Sequence, residues 1–548
     1  MKNLYFPFMF LLLTALTGCD PATTITSPQW GDEFEEGAAI TFSCNAQDLE
    51  DGPLSADTLV WTSNVDGKIG TGTPLVVDSL SPGLHIIALT ATDSDSNESS
   101  DEIEIIVGLA SSTTTTITAD ITAAYYISPD GNDADPGTED APWQTVGKAA
   151  DTLTAGQMVY IKTGTYSEQI TPENSGSTGK FITYAAYPGD TPVIDGTAIS
   201  LSDEEGLFHL SKKQFIKISG LKIANAGPND NNCGILVESS DHIIIENNHT
   251  YNTVASGIGV WGSSDITIDG NEVELACNDG EQECITVAGT DTFTIMNNHV
   301  HDGGPGTNGG EGIDVKDGSS NGEVYGNYVH HTKAERTGIY VDSWDKHTFN
   351  IDVYRNIVHD CGAGISLASE NGGLLENIRI YNNILYQNRS NGIEIGNWGE
   401  PLVLRRPVEE IDIFNNTVYE NGSAKWGGGL HIENPDSKTI VIRNNIFSQN
   451  VSFQLSDEAK LSGANLTADH NLIDGFRKYG DELYGDDYVE GGALFADPAK
   501  GDFHLLEGSA AIDSGSSQNA PADDYDGHAR PSGTRYDIGA FEFTESEN

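Results

Sequence analysis

Charged side chains of both signs cluster in one short segment near the middle of the chain, "GGEGIDVKDG" at residues 309–318. Lys316 lies between Asp314 and Asp317, and Glu311 lies five residues before it. Side chains of this kind can transfer protons. The segment is therefore a candidate for proton-transfer chemistry.

The same segment belongs to a repeat of eight frames, four of which read glycine, isoleucine, a variable residue and valine. The central apolar residues of successive frames are 23, 27, 28, 26, 26, 28 and 37 positions apart. This regularity predicts a solenoid of stacked coils. The frames occupy residues 234–237, 257–260, 284–287, 312–315, 338–341, 364–367, 392–395 and 429–432.

A second predicted strand follows each frame and ends in asparagine. Asparagine tolerates left-handed backbone geometry and can hydrogen-bond to the next coil at a corner. We therefore interpret this column as structural rather than functional. Its members are Asn248, Asn271, Asn298, Asn327, Asn356, Asn383, Asn416 and Asn445.

Side chains alternate along a strand, so the two apolar residues of each frame point into the coil and the residues beside them point out. Stacking at about 4.8 Å turns the outward residues into two columns. Asp314 and Lys316 then lie beside Tyr340 and Asp342. The first column is Leu236, Gly259, Thr286, Asp314, Tyr340, Ser366, Glu394 and His431, and the second is Glu238, Trp261, Ala288, Lys316, Asp342, Ala368, Gly396 and Glu433.

Aromatic and polar residues surround these columns where loops leave the frame. A groove with aromatic walls and a polar floor suits sugar rings, which stack on indoles while their hydroxyls form hydrogen bonds. The alternative is a solvated face with ordinary cross-strand pairs. The candidate substrate-binding residues are Tyr340, Trp344, Asp345, His347, Glu394, Trp398 and His431.

The charge balance limits the partners. The chain has 27 Lys and Arg against 83 Asp and Glu, a formal net charge of −56, which would repel nucleic acid. Twelve of the 27 basic residues nevertheless lie between residues 316 and 443. This enrichment favours an anionic ligand near the charged coils, and we expect an acidic polysaccharide bound by a monomer.

The N-terminal part divides into three segments. Residues 1–19 read as an export signal, and Leu16-Thr17-Gly18-Cys19 resembles a bacterial lipobox, which implies lipidation of Cys19 and an exported protein anchored to a bacterial membrane. Residues 25–108 have short alternating segments typical of a β-sandwich, and "LHIIALTATDSDSNES" resembles immunoglobulin-like or polycystic-kidney-disease-type modules. A Thr-rich linker occupies residues 109–122.

The remainder is predicted to be all-β. The stretch from Tyr125 resembles the opening of bacterial right-handed parallel β-helix proteins, which implies such a domain over residues 123–480. Residues 481–548 resemble a tail found on exported β-helix proteins and are expected to form a cap. Five cysteines remain after Cys19, an odd number, so a disulfide scaffold is not expected, although Cys277 and Cys284 could form a local bridge.

The motif "EGIDVKDG" resembles two groups of β-helix polysaccharide lyases. In family 9 pectate lyases a lysine stands in an Asp-Gly-apolar-x-x-Lys frame. In family 6 alginate lyases and chondroitinase B, a calcium-binding glutamate lies five residues before the catalytic lysine. The resemblance implies a Ca²⁺-dependent lyase with Lys316 as base, Glu311 as calcium ligand assisted by Asp314 or Asp317, and Arg336 nearby. No arginine occupies the outward columns of the next coil, which departs from the family 6 pattern.

Three other functions remain open from the sequence. Asp314 and Asp342 are one coil and two residues apart, about 8 Å, which suits an inverting glycoside hydrolase. Tyr340, Asp342 or Asp345, and His347 resemble the Tyr, Asp and His set of alginate epimerases, with different spacing. A glycan-binding surface protein without catalysis is the third, because fold alone does not give function.

Overall fold

The structure is a computed structural model of the whole chain. It describes residues 21–28, 32–34, 37–48, 52–54, 58–81, 83–94, 97–107, 123–304, 309–333, 335–399, 405–423 and 425–544. The predicted signal, Cys19 and the whole predicted linker at residues 109–122 lie outside the described residues. Two compact units divide at residue 111.

The N-terminal unit contains two sheets of short strands. One sheet has the order Asp32–Phe34, Glu98–Val107, Gly83–Thr92, Leu59–Ser63 and Gly67–Thr71. In the other, Ala22–Ser27 and Leu75–Val77 both pair with Ile40–Asp48, which also pairs with Gly52–Pro53. Buried side chains of both sheets, including Phe42 and Trp61, form one core. This unit is the small β domain that the sequence predicts.

The second unit is a parallel β-helix in which successive coils contribute one strand to each of two or three sheets. Sheet 1 has 13 strands. Its strands are Ala123–Ile127, Gln157–Ile161, Ile182–Ala186, Gln214–Ser219, Asp241–Glu246, Ser264–Asp269, Asp291–Met296, Ser320–Tyr325, His347–Tyr354, Leu374–Tyr381, Val408–Phe414, Lys438–Arg443 and Leu466–Asp469.

Sheets 2 and 3 complete the coils. Sheet 2 consists of Gly164–Tyr166, Pro192–Asp195, Lys222–Ala224, His249–Tyr251, Glu272–Glu274, His299–His301, Tyr328–His330, Ile357–His359, Ile384–Tyr386, Thr417–Tyr419, Ile446–Ser448, Leu472–Asp474 and Val489–Glu490. Sheet 3 consists of Gly206–Ser211, Cys233–Glu238, Ile258–Trp261, Ile285–Ala288, Ile313–Lys316, Ile339–Ser343, Ile365–Ser369, Ile393–Ile395, Leu430–Ile432 and Leu455–Asp457. The helix Val146–Thr152 precedes the first full coil.

The repeated frames form the strands of sheet 3, and their apolar residues fill the interior. Ile313, Val315, Ile339 and Val341 are all fully buried and belong to one core that runs through the coils. The glycine that opens a frame is needed for close approach: a Cβ on Gly364 would lie 2.4 Å from the carbonyl oxygen of Gly392. The predicted all-β solenoid is confirmed.

The asparagine column forms a continuous ladder at the corner between sheets 1 and 2. Both the backbone N–H and the side-chain amide of Asn298 donate to Oδ1 of Asn327, at 3.0 and 2.9 Å. Asn327 donates in the same way to Asn356. A shorter ladder of Asn388, Asn421 and Asn450 follows sheet 2. These amides satisfy backbone groups where the chain turns and no strand partner is present.

The C-terminal segment lies along the corner between sheets 1 and 2. Arg355 donates to the carbonyl of Asp524, and Asn382 donates to the carbonyl of Asp523. Two further coils are held through Asn415 and Asn444, which donate to Asp537 and Ser516. The segment also contains a small antiparallel pair, Phe495–Asp497 with Asp502–Leu505, joined by a 3-10 turn at Pro498–Lys500.

Two further observations concern membrane-spanning helices and the predicted disulfide bridge. Among the described residues, no helix is long and apolar enough to cross a membrane. Cys277 and Cys284 are both free thiols, so the local bridge considered from the sequence is not formed. The Sγ of Cys277 instead lies 2.6 Å from the carbonyl oxygen of Gln282.

Candidate active site

The charged segment lies on sheet 3, where neighbouring strands are in the register needed to bring the two charged coils together. Asp314 pairs with Tyr340, and Ile313 pairs with Ile339. On the preceding coil Ala288 pairs with Lys316. On the following coil Asp342 pairs with Ala368. Because parallel strands share one register, the outward residues form continuous columns along the sheet.

These columns are covered and do not face open solvent, unlike the outer surface that the strand alternation predicts. Asp314 is 2% exposed, Asp342 is 4% exposed and Tyr340 is 7% exposed. The side chain of Lys316 is 20% exposed. Lys316 is therefore more exposed than the two aspartates beside it, and the Arg336 side chain at the edge of the same coils is 31% exposed.

Lys316 makes a close ion pair that the sequence analysis did not anticipate. Its Nζ lies 2.6 Å from Oε1 of Glu283 and 3.4 Å from Oδ2 of Asp314. Glu283 also accepts a hydrogen bond from the hydroxyl of Thr286 at 2.8 Å. Glu283 directly precedes the frame of its coil, as Glu311 does on the next coil. That equivalence was a signal in the sequence that could have identified it.

Glu311 and Arg336 form a second pair at the edge of the same coils. Nη1 of Arg336 lies 3.0 Å from Oε1 of Glu311, and the Glu311 side chain is largely buried. Burial and the nearby Glu283 raise the pKa of Glu311, and Arg336 opposes them. The structure thus brings Glu311, Asp314, Lys316, Arg336 and Glu283 into one electrostatic cluster.

Three buried carboxylate oxygens of this region accept no hydrogen bond from the part of the chain that the structure describes. Within the described residues, the buried Oδ1 atoms of Asp314, Asp317 and Asp342 have no hydrogen-bond partner. Asp317 is the least suited to a shared site, because its other oxygen pairs with Lys346 at 2.9 Å. A buried carboxylate oxygen without a partner carries a desolvation penalty unless a ligand or cation satisfies it. The Oδ1 atoms of Asp314 and Asp342 are oxygen ligands of the kind that a hard cation such as Ca²⁺ takes.

The protonation of the cluster follows from its crowding. Burial raises the pKa of Asp314 well above its usual range; Lys316 opposes this shift and Glu283 adds to it. Burial likewise raises the pKa of Asp342. For Lys316, burial acts to lower the pKa, but the carboxylates of Glu283, Asp314 and Asp342 outweigh it and raise that pKa. Without a ligand, Lys316 is therefore held as a cation.

Of the predicted sugar-binding residues, Tyr340 lies on a strand of sheet 3 that Trp344 and Asp345 follow, whereas His347 lies on sheet 1. Tyr340 donates its hydroxyl to Glu370, and its ring meets that of Trp398 edge-on at 5.9 Å. Trp344 is 42% exposed on the loop that follows the strand of Tyr340, and Asp345 is exposed beside it. His347 instead begins a strand of sheet 1 and pairs with Glu376 at 2.9 Å.

Glu394 and His431 continue the first column on later coils. Burial raises the pKa of Glu394 to about 7, with Asn391 opposing the shift and Glu433 adding to it. Nε2 of His431 lies 3.2 Å from Oε2 of Glu458, and its ring contacts Trp426 and Phe453. These residues extend the face of sheet 3 away from Lys316.

Comparison with known proteins agrees with this architecture. Residues 125–325 match the family described as "Pel9A-like, right handed beta helix region", and residues 281–406 match the one described as "Right handed beta helix region". The chain is a right-handed β-helix protein. The two matched regions of this β-helix protein overlap at residues 281–325, which contain Glu283, Glu311 and Lys316.

Two curated proteins and one solved structure are similar to this β-helix protein. It is 28% identical over 383 residues to the uncharacterized protein YwoF of Bacillus subtilis, covering 63% of this chain and 79% of YwoF. It is 30% identical over 156 residues to pectate lyase PEL9 of Emericella nidulans, covering 26% of this chain and 37% of PEL9. The crystal structure of pectate lyase Pel9A superposes with a TM-score of 0.48 and 17% identity, covering 78% of this chain and 98% of Pel9A.

Proposed function

We propose that this protein cleaves an acidic, uronate-containing polysaccharide by β-elimination, with Lys316 as the base. The observation that carries the proposal is the placement of a partly exposed lysine, Lys316, close to buried aspartate oxygens that have no hydrogen-bond partner among the described residues. The similarity to pectate lyase PEL9 supports the reaction class. The basic residues on this acidic chain support an anionic substrate.

The proposed reaction has two bond changes on the substrate. Lys316, once deprotonated, takes the proton from the carbon next to the uronate carboxylate. The electron pair of that C–H bond forms a carbon–carbon double bond as the glycosidic C–O bond breaks. The leaving oxygen takes up a proton, so the products are a new chain end and an unsaturated uronate.

Asp314 and Asp342 are the residues proposed to hold a calcium ion, because the Oδ1 atom of each has no hydrogen-bond partner among the described residues. Bound calcium would neutralise the uronate carboxylate and so make the neighbouring proton more acidic. Glu311 pairs with Arg336 and Asp317 pairs with Lys346, so we propose that these two residues take a smaller part in binding than the sequence suggested. Tyr340, Trp344 and Trp398 are proposed to contact sugar rings.

The test is the ultraviolet absorbance of the unsaturated product, measured with calcium on pectate, alginate, ulvan and glycosaminoglycans. Lys316→Ala is expected to lower the rate on the accepted substrate by about 10²–10⁴-fold, the usual contribution of a positioned base. Lys346→Ala, which removes a lysine that is 57% exposed, is the matched control and should retain most of the rate. A Lys316→Ala variant with full activity would overturn the proposal.

The same assay separates the other functions. New reducing ends without ultraviolet absorbance, lost in Asp314→Asn and Asp342→Asn, would indicate hydrolysis by these two carboxyl groups. An altered uronate configuration at unchanged chain length would indicate epimerisation. Binding without any product, unaffected by Lys316→Ala, would indicate a glycan-binding protein.

We also propose that the protein is exported and anchored through a lipid on Cys19. The support is the signal-like segment and the lipobox-like Leu16-Thr17-Gly18-Cys19. Radiolabelled fatty acid should be incorporated by the wild-type protein in bacterial cells. A Cys19→Ala variant that is labelled equally would contradict the anchor.

A further inference from the structure

Histidines are concentrated on the outer face of sheet 2, away from the sheet that carries Lys316. Five of the chain's 14 histidines lie on its strands, and each flanks a central residue that is fully buried, so the imidazoles project outward. The five are His249, His299, His301, His330 and His359.

Of the sheet 2 strands from Lys222–Ala224 to Ile357–His359, only Glu272–Glu274 carries acidic side chains. Glu272 is in register with His299, and Glu274 is in register with His301. On the other side, His249 is in register with Glu272. The carboxylate of Glu272 thus lies between imidazoles from the coils before and after it.

The contacts of His301 fix which ring nitrogen faces that carboxylate. Nδ1 of His301 lies 2.9 Å from Oδ2 of Asp302, and because a carboxylate only accepts, the hydrogen on Nδ1 donates to it. Nε2 then faces Oε1 of Glu272 at 3.3 Å. A carboxylate on the far nitrogen is the arrangement that orients metal-binding histidines.

His299 completes a group of three donors. Its ring stacks on that of His301 with centroids 4.0 Å apart. One ligand atom from each of Glu272, His299 and His301 lies within 4.8 Å of the other two. Ligands bound at about 2.0–2.2 Å in a tetrahedron are about 3.3–3.6 Å apart, so the pair of His301 and Glu272, at 3.3 Å, already has the required separation.

We propose that Glu272, His299 and His301 bind one divalent transition-metal ion of the Zn²⁺ type. Two imidazoles and one carboxylate form a donor set that suits zinc, nickel or cobalt, whereas Ca²⁺ takes oxygen ligands. Three protein ligands leave a fourth position for water or a substrate atom. His359 stacks on His330 with parallel rings at 5.2 Å and has Asp360 at its Nδ1, but its Nε2 faces the hydroxyl of Tyr328 and not a second carboxylate, as that of His301 does. This inference does not depend on the proposed lyase function.

Titration of the full-length, EDTA-treated protein with Zn²⁺ tests the proposal by calorimetry, together with the visible absorbance of bound Co²⁺. We expect one Zn²⁺ per chain with at least micromolar affinity, and an absorbance typical of four-coordinate Co²⁺. His301→Ala and Glu272→Gln should each weaken Zn²⁺ binding by at least tenfold. Glu272→Gln changes no volume, so it remains informative if His301→Ala folds poorly.

The controls remove other histidines near carboxylates. His209→Ala breaks a pair with Glu238 at 2.9 Å on sheet 3, and should leave Zn²⁺ affinity unchanged. His528→Ala removes the histidine of a second group, with Asp524 and Asp526, on the C-terminal segment. The proposal is overturned if no Zn²⁺ binds, if both Glu272→Gln and His301→Ala bind normally, or if only His528→Ala loses the ion.

Discussion

The pKa of Lys316, the proposed base, depends on the carboxylates that surround it. The Glu283 carboxylate, 2.6 Å from Nζ, is the largest of the effects that raise the pKa of the lysine against burial. A base acts only when deprotonated, so the proposed elimination should become faster as the pH rises through the alkaline range. The ion pair that positions Lys316 therefore also raises the pH at which the lysine becomes deprotonated.

Glu283→Gln is predicted to shift the pH dependence of the reaction. Removing the carboxylate lowers the pKa of Lys316, so the acidic limb of the kcat/KM profile should move to lower pH. The measurement is a pH–rate profile of both proteins at saturating calcium. Glu376→Gln, which changes the partner of His347 on sheet 1, controls for the loss of one acidic group. A profile that stays in place would show that Glu283 does not control the base.

The raised pKa of Glu394 predicts that the stability of the folded protein depends on pH. Its pKa is raised from 4.5 to about 7 in the folded chain by burial. A raised pKa contributes stability that is present below pH 4.5 and is lost as the pH rises through about 7. The difference corresponds to about 3 kcal/mol. In Glu394→Gln this component should disappear, which Tm measurements from pH 4 to 8 would detect.

The control for this measurement is Glu335→Gln at an exposed position, which removes one charge without removing a buried group. Should Glu394→Gln and wild type lose Tm in parallel between these pH values, the carboxyl of Glu394 would not be protonated in the folded protein.

The sequence was sufficient to predict part of the site. The frame spacing placed Asp314 and Tyr340 in one column, and the structure has them paired. It could not predict that Asp314 and Asp342 are covered, because burial of an outward strand position depends on loops that have no periodic pattern. Nor did it reveal the pair of Lys316 with Glu283, which are 33 residues apart and meet only through coil stacking.

At the scale of the elements, the asparagine ladder supports the prediction that this column is structural. Each amide bridges two coils and is buried, so its loss leaves donors on the preceding coil without acceptors. The sequence revealed the main column because it recurs once per coil. The shorter ladder of Asn388, Asn421 and Asn450 escaped notice because three members make a weak pattern.

Asn327→Ala is predicted to destabilise the β-helix by about 1–3 kcal/mol, the cost of unsatisfied buried donors. Asn327 is 1% exposed, and both amide groups of Asn298 depend on its Oδ1. The measurement is the thermal unfolding temperature. The exposed Asn132→Ala, whose side chain accepts one local hydrogen bond from Ala134, is the control. Equal Tm values for the two variants would contradict a stabilising role for the ladder.

On the scale of the whole β-helix unit, one buried arginine holds the C-terminal segment together. Arg530 and Glu542 are fully buried and pair at 2.8 Å. The guanidinium also donates to Oδ1 of Asn382 and to the carbonyls of Gly539 and Ala540. The sequence predicted a cap, but its path along the corner depends on contacts between residues 72 to 169 positions apart.

Arg530→Ala is predicted to destabilise this segment by about 3–5 kcal/mol, because Glu542 would be left as an uncompensated buried charge. Limited proteolysis should then cut within the C-terminal segment much faster than in the wild-type protein. Arg535→Ala, at an exposed arginine that donates to the carbonyl of Gly515, is the control. Resistance of Arg530→Ala to protease at the wild-type level would be incompatible with this role.

The path of the C-terminal segment also changes how the last coils can open. A solenoid whose repeats contact only their neighbours loses its terminal repeats one at a time. Here the segment is bonded to Arg355, Asn382, Asn415 and Asn444, one residue from each of four successive coils. Release of any one of these four coils therefore requires the segment to detach, and the four coils gain a shared unfolding step. The segment converts this end of a nearest-neighbour array into a single cooperative block.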